Sequence, residues 1–227
     1  MPILWHIMKI YSSYGYNDFV VCLGYKGYVI KEYFANLFLH HSDVTIDVKN
    51  NKLEVHNNFA EDWKITLVET GPETLTGGRI KRVQKYIGDE PFMLTYGDGV
   101  SNVNIKELVD FHKMNNKLCT VTSVQPSGRF GVLQINNESL VESFHEKRPE
   151  DIGWINGGFF VIEPEVSDLV KSFDEPFETG ALPRLVSTGN LMSFHHDGFW
   201  QPMDTFREKE DLSKLAKQAT PPWLAGL

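Results

Sequence analysis

The sequence predicts an α/β fold with a mixed, mostly parallel central sheet. Residues 19–23 and 92–96 form runs that are apolar on both faces, a pattern typical of strands in a parallel sheet that is covered on both sides. Segments with helical spacing of apolar residues separate these runs. Beyond Gly128 the pattern changes to short alternating strands joined by turn residues such as Asn136-Asn137, which indicates hairpins and makes the sheet mixed.

The first half of the chain alternates helices with strands. Apolar residues from Ile3 to Tyr11 recur at helical spacing without an N-terminal cap, and Gly15 is placed to end this helix. The elements predicted next are the strand 19–23, a helix near 27–39, the strand 65–69, a helix near 78–86, the strand 92–96, a helix near 105–114 and the strand 119–124. This order is that of βα units, in which helices cover a sheet.

The second half contains shorter elements. The predicted elements are strands at 131–135, 141–145 and 154–162, short helices near 164–171 and 181–188, a strand at 191–196, an extended segment at 200–202 and a last helix from 205 to about 218. No repeat or linker interrupts the chain, so we expect a single domain over residues 1–227. Because the alternation opens on a helix, we also expect an N-terminally truncated sheet, in which the strand 19–23 lacks one neighbour.

Composition excludes several classes of protein. The 227 residues are 41% hydrophobic and carry a formal net charge of −8, which is typical of a folded globular protein and argues against a nucleic-acid-coating one. No stretch approaches the roughly 20 apolar residues of a membrane span, and the N-terminus does not match a signal peptide. Of the two cysteines, Cys22 lies in an apolar run and Cys119 beside a Thr-Val stretch, which indicates buried thiols in a reducing, cytoplasmic setting.

Two aspartates are candidate metal ligands. Asp98 follows an apolar strand and lies between two glycines, where a carboxylate can approach a metal and a polyphosphate closely. A turn role is the simpler alternative. Asp204 precedes the last helix, where capping is the simpler interpretation. Together, two strand-end carboxylates suit one Mg²⁺, which takes few protein ligands and leaves the rest of its coordination to substrate phosphates.

Three further segments carry candidate binding residues. Lys147, next to Glu146 at a strand end, suits a phosphate, although a solvated charge cluster explains it equally well. Asn156 and Gly157 belong to a strand in which glycines indicate a bulge or a close ligand approach. The segment from Thr74 to Arg79 lies at the start of a predicted helix. Backbone N–H groups and Arg79 could bind an anion there, and a simple glycine turn explains the segment equally well.

Six segments, in order and spread over nearly the whole chain, resemble the glucose-1-phosphate cytidylyltransferases, a branch of the sugar-1-phosphate nucleotidylyltransferases. They are Met1-Pro2-Ile3-Leu4-Trp5-His6-Ile7-Met8, Gly24-Tyr25-Lys26-Gly27-Tyr28, Thr76-Gly77-Gly78-Arg79, Tyr96-Gly97-Asp98-Gly99-Val100, Ile155-Asn156-Gly157-Gly158-Phe159-Phe160 and Phe199-Trp200-Gln201-Pro202-Met203-Asp204-Thr205. The resemblance implies a Rossmann-like GT-A fold and Mg²⁺ dependence. It also implies a reaction in which CTP and glucose 1-phosphate give CDP-glucose and pyrophosphate.

The resemblance further implies roles for individual residues. It implies that Asp98 and Asp204 bind the metal and that Lys147 binds the sugar phosphate. All three are implied to be catalytic residues. Substrate contacts fall to Thr74 and Arg79 on the nucleotide side, to Gly97, and to Glu146, Asn156 and Gly157 on the sugar side. The family's N-terminal strand and glycine-rich phosphate loop have no match in this chain. We therefore expect the 227 residues alone to turn over poorly while keeping affinity for glucose 1-phosphate.

Three alternatives stay open on sequence grounds. A uridylyl- or thymidylyltransferase of the same superfamily shares the paired aspartates. A GT-A glycosyltransferase usually carries an Asp-x-Asp motif, whereas Asp98 is followed by Gly99-Val100. The third is a truncated, catalytically silent chain that binds a sugar phosphate or a partner subunit. Whichever alternative holds, a homo-oligomer is also open.

Overall fold

The computed structural model describes residues 1–58, 61–126, 131–135, 140–146 and 153–226, with backbone alone for 58, 131–135 and 141–146. Its α-helices are α1 Ile3–Ser12, α2 Gly27–Ala35, α3 Leu37–His40, α4 Thr76–Ile87, α5 Ile105–Asn115, α6 Ala181–Ser187 and α7 Phe206–Leu215. Its strands are β1 Asp18–Leu23, β2 Ser42–Asp47, β3 Lys52–Asn58, β4 Lys64–Glu69, β5 Phe92–Thr95, β6 Gly99–Ser101, β7 Cys119–Val124, β8 Gly131–Ile135, β9 Val141–Glu146, β10 Ile155–Ile162, β11 Leu191–His196 and β12 Trp200–Pro202. Short 3₁₀ helices cover Pro164–Leu169 and Pro222–Leu224.

The chain forms two compact units. The first comprises Met1–Gly15, Glu90–Val166 and Leu185–Leu227, and the second comprises Tyr16–Asp89 and Ser167–Arg184. The prediction of a single domain stays a prediction. Among the described helices, none is long and apolar enough to cross a membrane.

The first unit is built on a four-stranded sheet in the order β11-β7-β10-β5. Helix α5 buries Leu108 and His112, and the His112 ring shares a hydrogen bond with the Thr120 hydroxyl (2.9 Å) and donates from Nε2 to the Glu163 carboxylate (3.1 Å). On α1, which Pro2 begins without a side-chain cap, Tyr11 stacks on Phe159 of β10. Burial of these helix faces against the sheet is the main favourable contribution to folding.

The mixed, mostly parallel sheet is confirmed in this unit, because three of its four strands, β5, β7 and β11, run in the same direction. Strand β11 runs parallel to β7, whereas β10 runs antiparallel to both β7 and β5. Between β7 and β10 in the sequence, β8 and β9 pair as an antiparallel hairpin. The hairpin itself was predicted from the alternating pattern.

In the second unit, β1 pairs in parallel with β4, with Phe19 opposite Ile65. The expectation that this strand is buried on both faces is wrong: only Leu23 is fully buried, and the other residues are partly or fully exposed. Within the described part of the chain, β4 is the one neighbour that β1 has. The hairpin β2–β3 was not predicted from the sequence. A register shift at Asp43/Val44 weakens the alternation of apolar and polar residues along it.

Candidate active site

Strands β6 and β12 form a two-stranded ribbon, and Asp98 and Asp204 both lie at the same end of it. Strand β6 pairs antiparallel with β12, with Gly99 opposite Pro202. The pairing continues one step beyond the strands, because the Met203 N–H donates to the Asp98 carbonyl oxygen at 2.6 Å. Asp98 immediately precedes β6 and Asp204 closely follows β12, so residues more than 100 positions apart become neighbours. The predicted pairing of these carboxylates has a clear geometric basis.

The two carboxylates influence one another electrostatically. Both residues are exposed to solvent at the surface of the cleft. Partial burial among the surrounding atoms and, second, the negative charge of Asp204 together raise the pKa of the Asp98 carboxyl above its usual range. Of the described residues that line this cleft, none is basic. Such a pair of carboxylates without a nearby cation favours the binding of a positively charged ligand.

The role of Asp204 as a helix cap is wrong. The N-cap of α7 is Thr205, whose side chain accepts the Glu208 N–H while the Glu208 carboxylate accepts the Thr205 N–H. This is a capping box, and Glu208 also accepts the Asp204 N–H at 3.0 Å. The Asp204 backbone is thereby fixed, while its carboxylate is left exposed on the ribbon.

The opposite wall of the cleft is a glycine bulge in β10. The register between β10 and β7 shifts between Asn156 and Phe160, as the glycines predicted. Gly158 has a φ of +78°, and the Asn156 side-chain oxygen accepts its N–H at 2.8 Å. The Asn156 amide also donates to the Tyr96 hydroxyl at 3.2 Å. Asn156 therefore stabilises the bulge and the end of β5 together.

These parts enclose an open cleft of about 210 Å³. Its lining residues are Tyr96, Asp98, Gly99, Asn156, Gly157, Gly158, Phe159, Trp200, Pro202 and Asp204. Of the predicted site residues, the structure thus brings together Asp98, Asp204, Asn156 and Gly157. Gly97 adjoins the cleft without lining it, and a Cβ there would meet nothing within 4 Å.

Thr74 and Arg79 lie in the second unit, where they make contacts within that unit. The Arg79 guanidinium donates to the Leu23 carbonyl at 3.1 Å and to the Thr70 hydroxyl at 2.6 Å. It thereby joins the carboxyl ends of the parallel strands β1 and β4. Thr74 is buried beside Gly71. Their substrate contacts stay a prediction.

The first turn of α4 is covered by protein backbone. The Gly78 N–H donates to the Glu175 carbonyl at 3.3 Å, and a Cβ on Gly78 would come within 2.0 Å of the Phe173 carbonyl oxygen. A Cβ on Gly77 would lie 2.7 Å from the Glu175 carbonyl oxygen. The glycine pair is therefore needed for close packing, and the Gly78 N–H is bonded within the protein, while an anion contact by the other groups of this segment stays a prediction.

The side-chain contacts of two predicted site residues, Glu146 and Lys147, lie outside the described part of the chain. Glu146 ends strand β9, but its side chain lies outside the described part, and Lys147 lies outside the described residues altogether. Their predicted roles in holding the sugar phosphate stay predictions.

Comparison with known proteins identifies the relationship. The model of the nucleotidyl transferase family matches residues 2–213, which include both cleft aspartates and the glycine bulge. The chain belongs to the nucleotidyl transferase family. Within this family, it is 52% identical to glucose-1-phosphate cytidylyltransferase of Salmonella typhimurium over 98% of this chain and 86% of that one. It is 43% identical to a probable glucose-1-phosphate cytidylyltransferase of Bacillus subtilis, over 98% and 87%.

Solved structures support the same fold. HddC from Yersinia pseudotuberculosis, crystallised with GMP-PN, gives a TM-score of 0.67 at 20% identity, over 95% of this chain and 86% of that chain. A putative glucose-1-phosphate thymidylyltransferase from Bacillus anthracis gives 0.66 at 15% identity, over 96% and 84%. These likenesses establish the nucleotidyl transferase fold of the chain.

Sequence reasoning assigned no role to two residues of the cleft of this nucleotidyl transferase. Tyr96 directly follows β5 on the way to Asp98, and its hydroxyl accepts a hydrogen bond from the Asn156 amide. Trp200 donates its indole N–H to the Gly157 carbonyl at 2.7 Å. Their position inside segments that resemble the family was the available signal, but the contacts depend on the bulge and on the ribbon register.

Proposed function

We propose that this nucleotidyl transferase transfers a cytidylyl group from CTP to glucose 1-phosphate, giving CDP-glucose and pyrophosphate. Two relatives that it covers at 86% and 87% of their length bear that enzyme's name. The observation that carries the chemistry is the ribbon β6–β12, which sets Asp98 and Asp204 side by side at an open cleft.

The donor set fits Mg²⁺. Two exposed carboxylates that repel one another provide the hard oxygen ligands this ion prefers, and the described residues contain no group of three or more His, Cys, Asp or Glu able to hold a metal. A two-carboxylate site suits an ion that keeps positions for water and substrate phosphates. When bound, Mg²⁺ neutralises phosphate charge and polarises a phosphoryl oxygen. We propose Asp98 and Asp204 as its protein ligands.

The reaction is a single displacement. An oxygen of the glucose 1-phosphate phosphate attacks the α-phosphorus of CTP, forming a P–O bond, while the bond from that phosphorus to the bridging oxygen breaks and pyrophosphate leaves with the electron pair. No covalent bond to the protein is required, so the residues bind and orient the two substrates.

Each wall of the site has a proposed task. We assign the sugar side to the bulge at Asn156 and Gly157, together with Glu146 and Lys147, the latter as a point charge for the sugar phosphate. Phe159, next to the bulge, closes part of the cleft with apolar surface. The family resemblance further assigns Gly97 to substrate binding, and Thr74 and Arg79 of the second unit to contact with the nucleotide.

The setting proposed for this activity is the cytoplasm. Both cysteines are free, and burial raises the pKa of the Cys119 thiol to about 12, which keeps it protonated and unreactive. Unpaired, unreactive thiols suit a reducing compartment. A homo-oligomer is a further proposal.

The decisive experiment is a nucleotide panel with the protein expressed from its natural gene. Initial rates with glucose 1-phosphate and Mg²⁺ are measured for CTP, UTP, dTTP and GTP by pyrophosphate release. We expect CTP to give the highest kcat/KM, by about a hundredfold or more if the base is recognised through hydrogen bonds. Faster turnover of UTP or dTTP would identify the other branch of the superfamily. In parallel, titration with glucose 1-phosphate detects a chain that binds sugar phosphate but is catalytically silent.

A further inference from the structure

The ribbon β6–β12 is separate from the four-stranded sheet that carries the glycine bulge. The cleft nevertheless requires the two to be held in register, since the carboxylates are on one and the bulge is on the other. At the end remote from the carboxylates, His196 of β11 shares hydrogen bonds with Ser101 (3.1 Å) and with the Phe199 carbonyl (3.2 Å). These contacts fix one end of the ribbon to the sheet.

Inside the cleft, Trp200 makes the corresponding contact with the bulge. Its indole N–H donates to the Gly157 carbonyl oxygen at 2.7 Å, a short distance for a hydrogen bond from nitrogen. The bulge makes this possible, because the register shift removes Gly157 from the regular pairing with β7. On its other side Gly157 is confined, since a Cβ there would lie 2.9 Å from the Thr122 carbonyl oxygen.

We infer that Trp200 is a positioning residue, which sets the distance between the carboxylate pair Asp98/Asp204 and the bulge that faces the sugar phosphate. It acts through the Gly157 carbonyl and through the backbone of β12, because Trp200 begins this strand three residues before Met203. This inference rests on the proposed function, because it assigns the two walls to the two reactants. In-line displacement is sensitive to such spacing, and displacement of a reactant by about 1 Å can cost a hundredfold in rate.

The test replaces Trp200 by Phe, which keeps an aromatic ring in the cleft and removes the N–H donor. The matched control is Trp154→Phe, because Trp154 directly precedes β10, the strand that carries the bulge, but is exposed and stacked on His195, outside the cleft lining. For Trp200→Phe we expect kcat to fall by about tenfold or more while the KM for CTP stays within about twofold. Trp154→Phe is expected to keep the wild-type values.

A spectroscopic measurement keeps the test independent of turnover. The chain has five tryptophans, and the indole resonance missing from ¹⁵N-labelled Trp200→Phe identifies Trp200. We expect this N–H to exchange slowly with solvent, as a hydrogen-bonded donor does, and to shift when glucose 1-phosphate is added. If the wild-type protein is inactive with CTP yet this resonance behaves as expected, the proposed function fails and the positioning contact stands. Rapid exchange, or unchanged kcat in Trp200→Phe, would overturn the inference.

Discussion

Substituting Gly158 by Ala tests whether the bulge shapes the cleft. The structure gives two separate costs for this change. Gly158 has a φ of +78°, a backbone conformation that costs an L-residue about 1–2 kcal/mol. In addition, the new Cβ would lie 2.9 Å from Cδ2 of Tyr96, and overpacking of this kind costs about 1–3 kcal/mol. We therefore expect Gly158→Ala to lower the free energy of unfolding by about 2–5 kcal/mol.

Two other glycines of the same unit separate these costs. Gly189 has a φ of +66° but nothing within 4 Å of an added Cβ, so Gly189→Ala should lose only the backbone part, about 1–2 kcal/mol. Gly97 has neither constraint, and Gly97→Ala should stay within about 0.5 kcal/mol of wild type. Urea unfolding measures all three. If Gly158→Ala were no more destabilised than Gly189→Ala, the close packing of Tyr96 on the bulge would be refuted.

The remaining predictions concern catalysis, pH and capping. Lys147→Ala should raise the KM for glucose 1-phosphate far more than that for CTP, and equal losses would assign Lys147 to the nucleotide. Burial lowers the pKa of His6 from 6.5 to about 4, so the unfolded chain binds more protons between these values; stability should be full above pH 6.5 and fall by up to about 3 kcal/mol as the pH drops to 4. A denaturation series across this range checks it, and His6→Gln should flatten the dependence. Thr205→Ala should cost about 1 kcal/mol by removing the capping box, which urea unfolding measures; an unchanged midpoint would show that Glu208 alone holds the start of α7.

Local patterns predicted most elements of the fold. Three predicted elements lie within a residue or two of the observed ones: the strands 92–96 and 119–124 and the helix 105–114. Their apolar residues follow the spacing of a strand or a helix, because these residues are buried at one sheet. The hairpin β2–β3 was missed, because Ile46 and Leu53 are exposed on it and the register shift breaks the alternation that identifies a strand.

The features of the site also divide into those that local sequence patterns predicted and those that depend on long-range contacts. Asp98 and the bulge at Gly157 carried local signals, a strand end and a pair of glycines. The juxtaposition of Asp98 with Asp204 depends on the ribbon pairing of strands only three residues long, which no local pattern indicates. The close packing of Gly78 against Phe173 likewise arises from a segment nearly 100 residues away. Such long-range contacts are set by tertiary structure and leave no periodic trace in the sequence.

The central claim is that Asp98 and Asp204 together bind a divalent ion with the nucleotide. Mn²⁺ binding in the presence of CTP, followed by electron paramagnetic resonance, measures this without turnover. Asp110→Asn is the matched control, since Asp110 is an exposed aspartate of the same unit that is paired with Lys106 at 2.6 Å. We expect Asp98→Asn and Asp204→Asn each to weaken Mn²⁺ binding by about tenfold or more, with Asp110→Asn unchanged. Wild-type Mn²⁺ affinity in either cleft variant would contradict the assignment of that aspartate as a ligand.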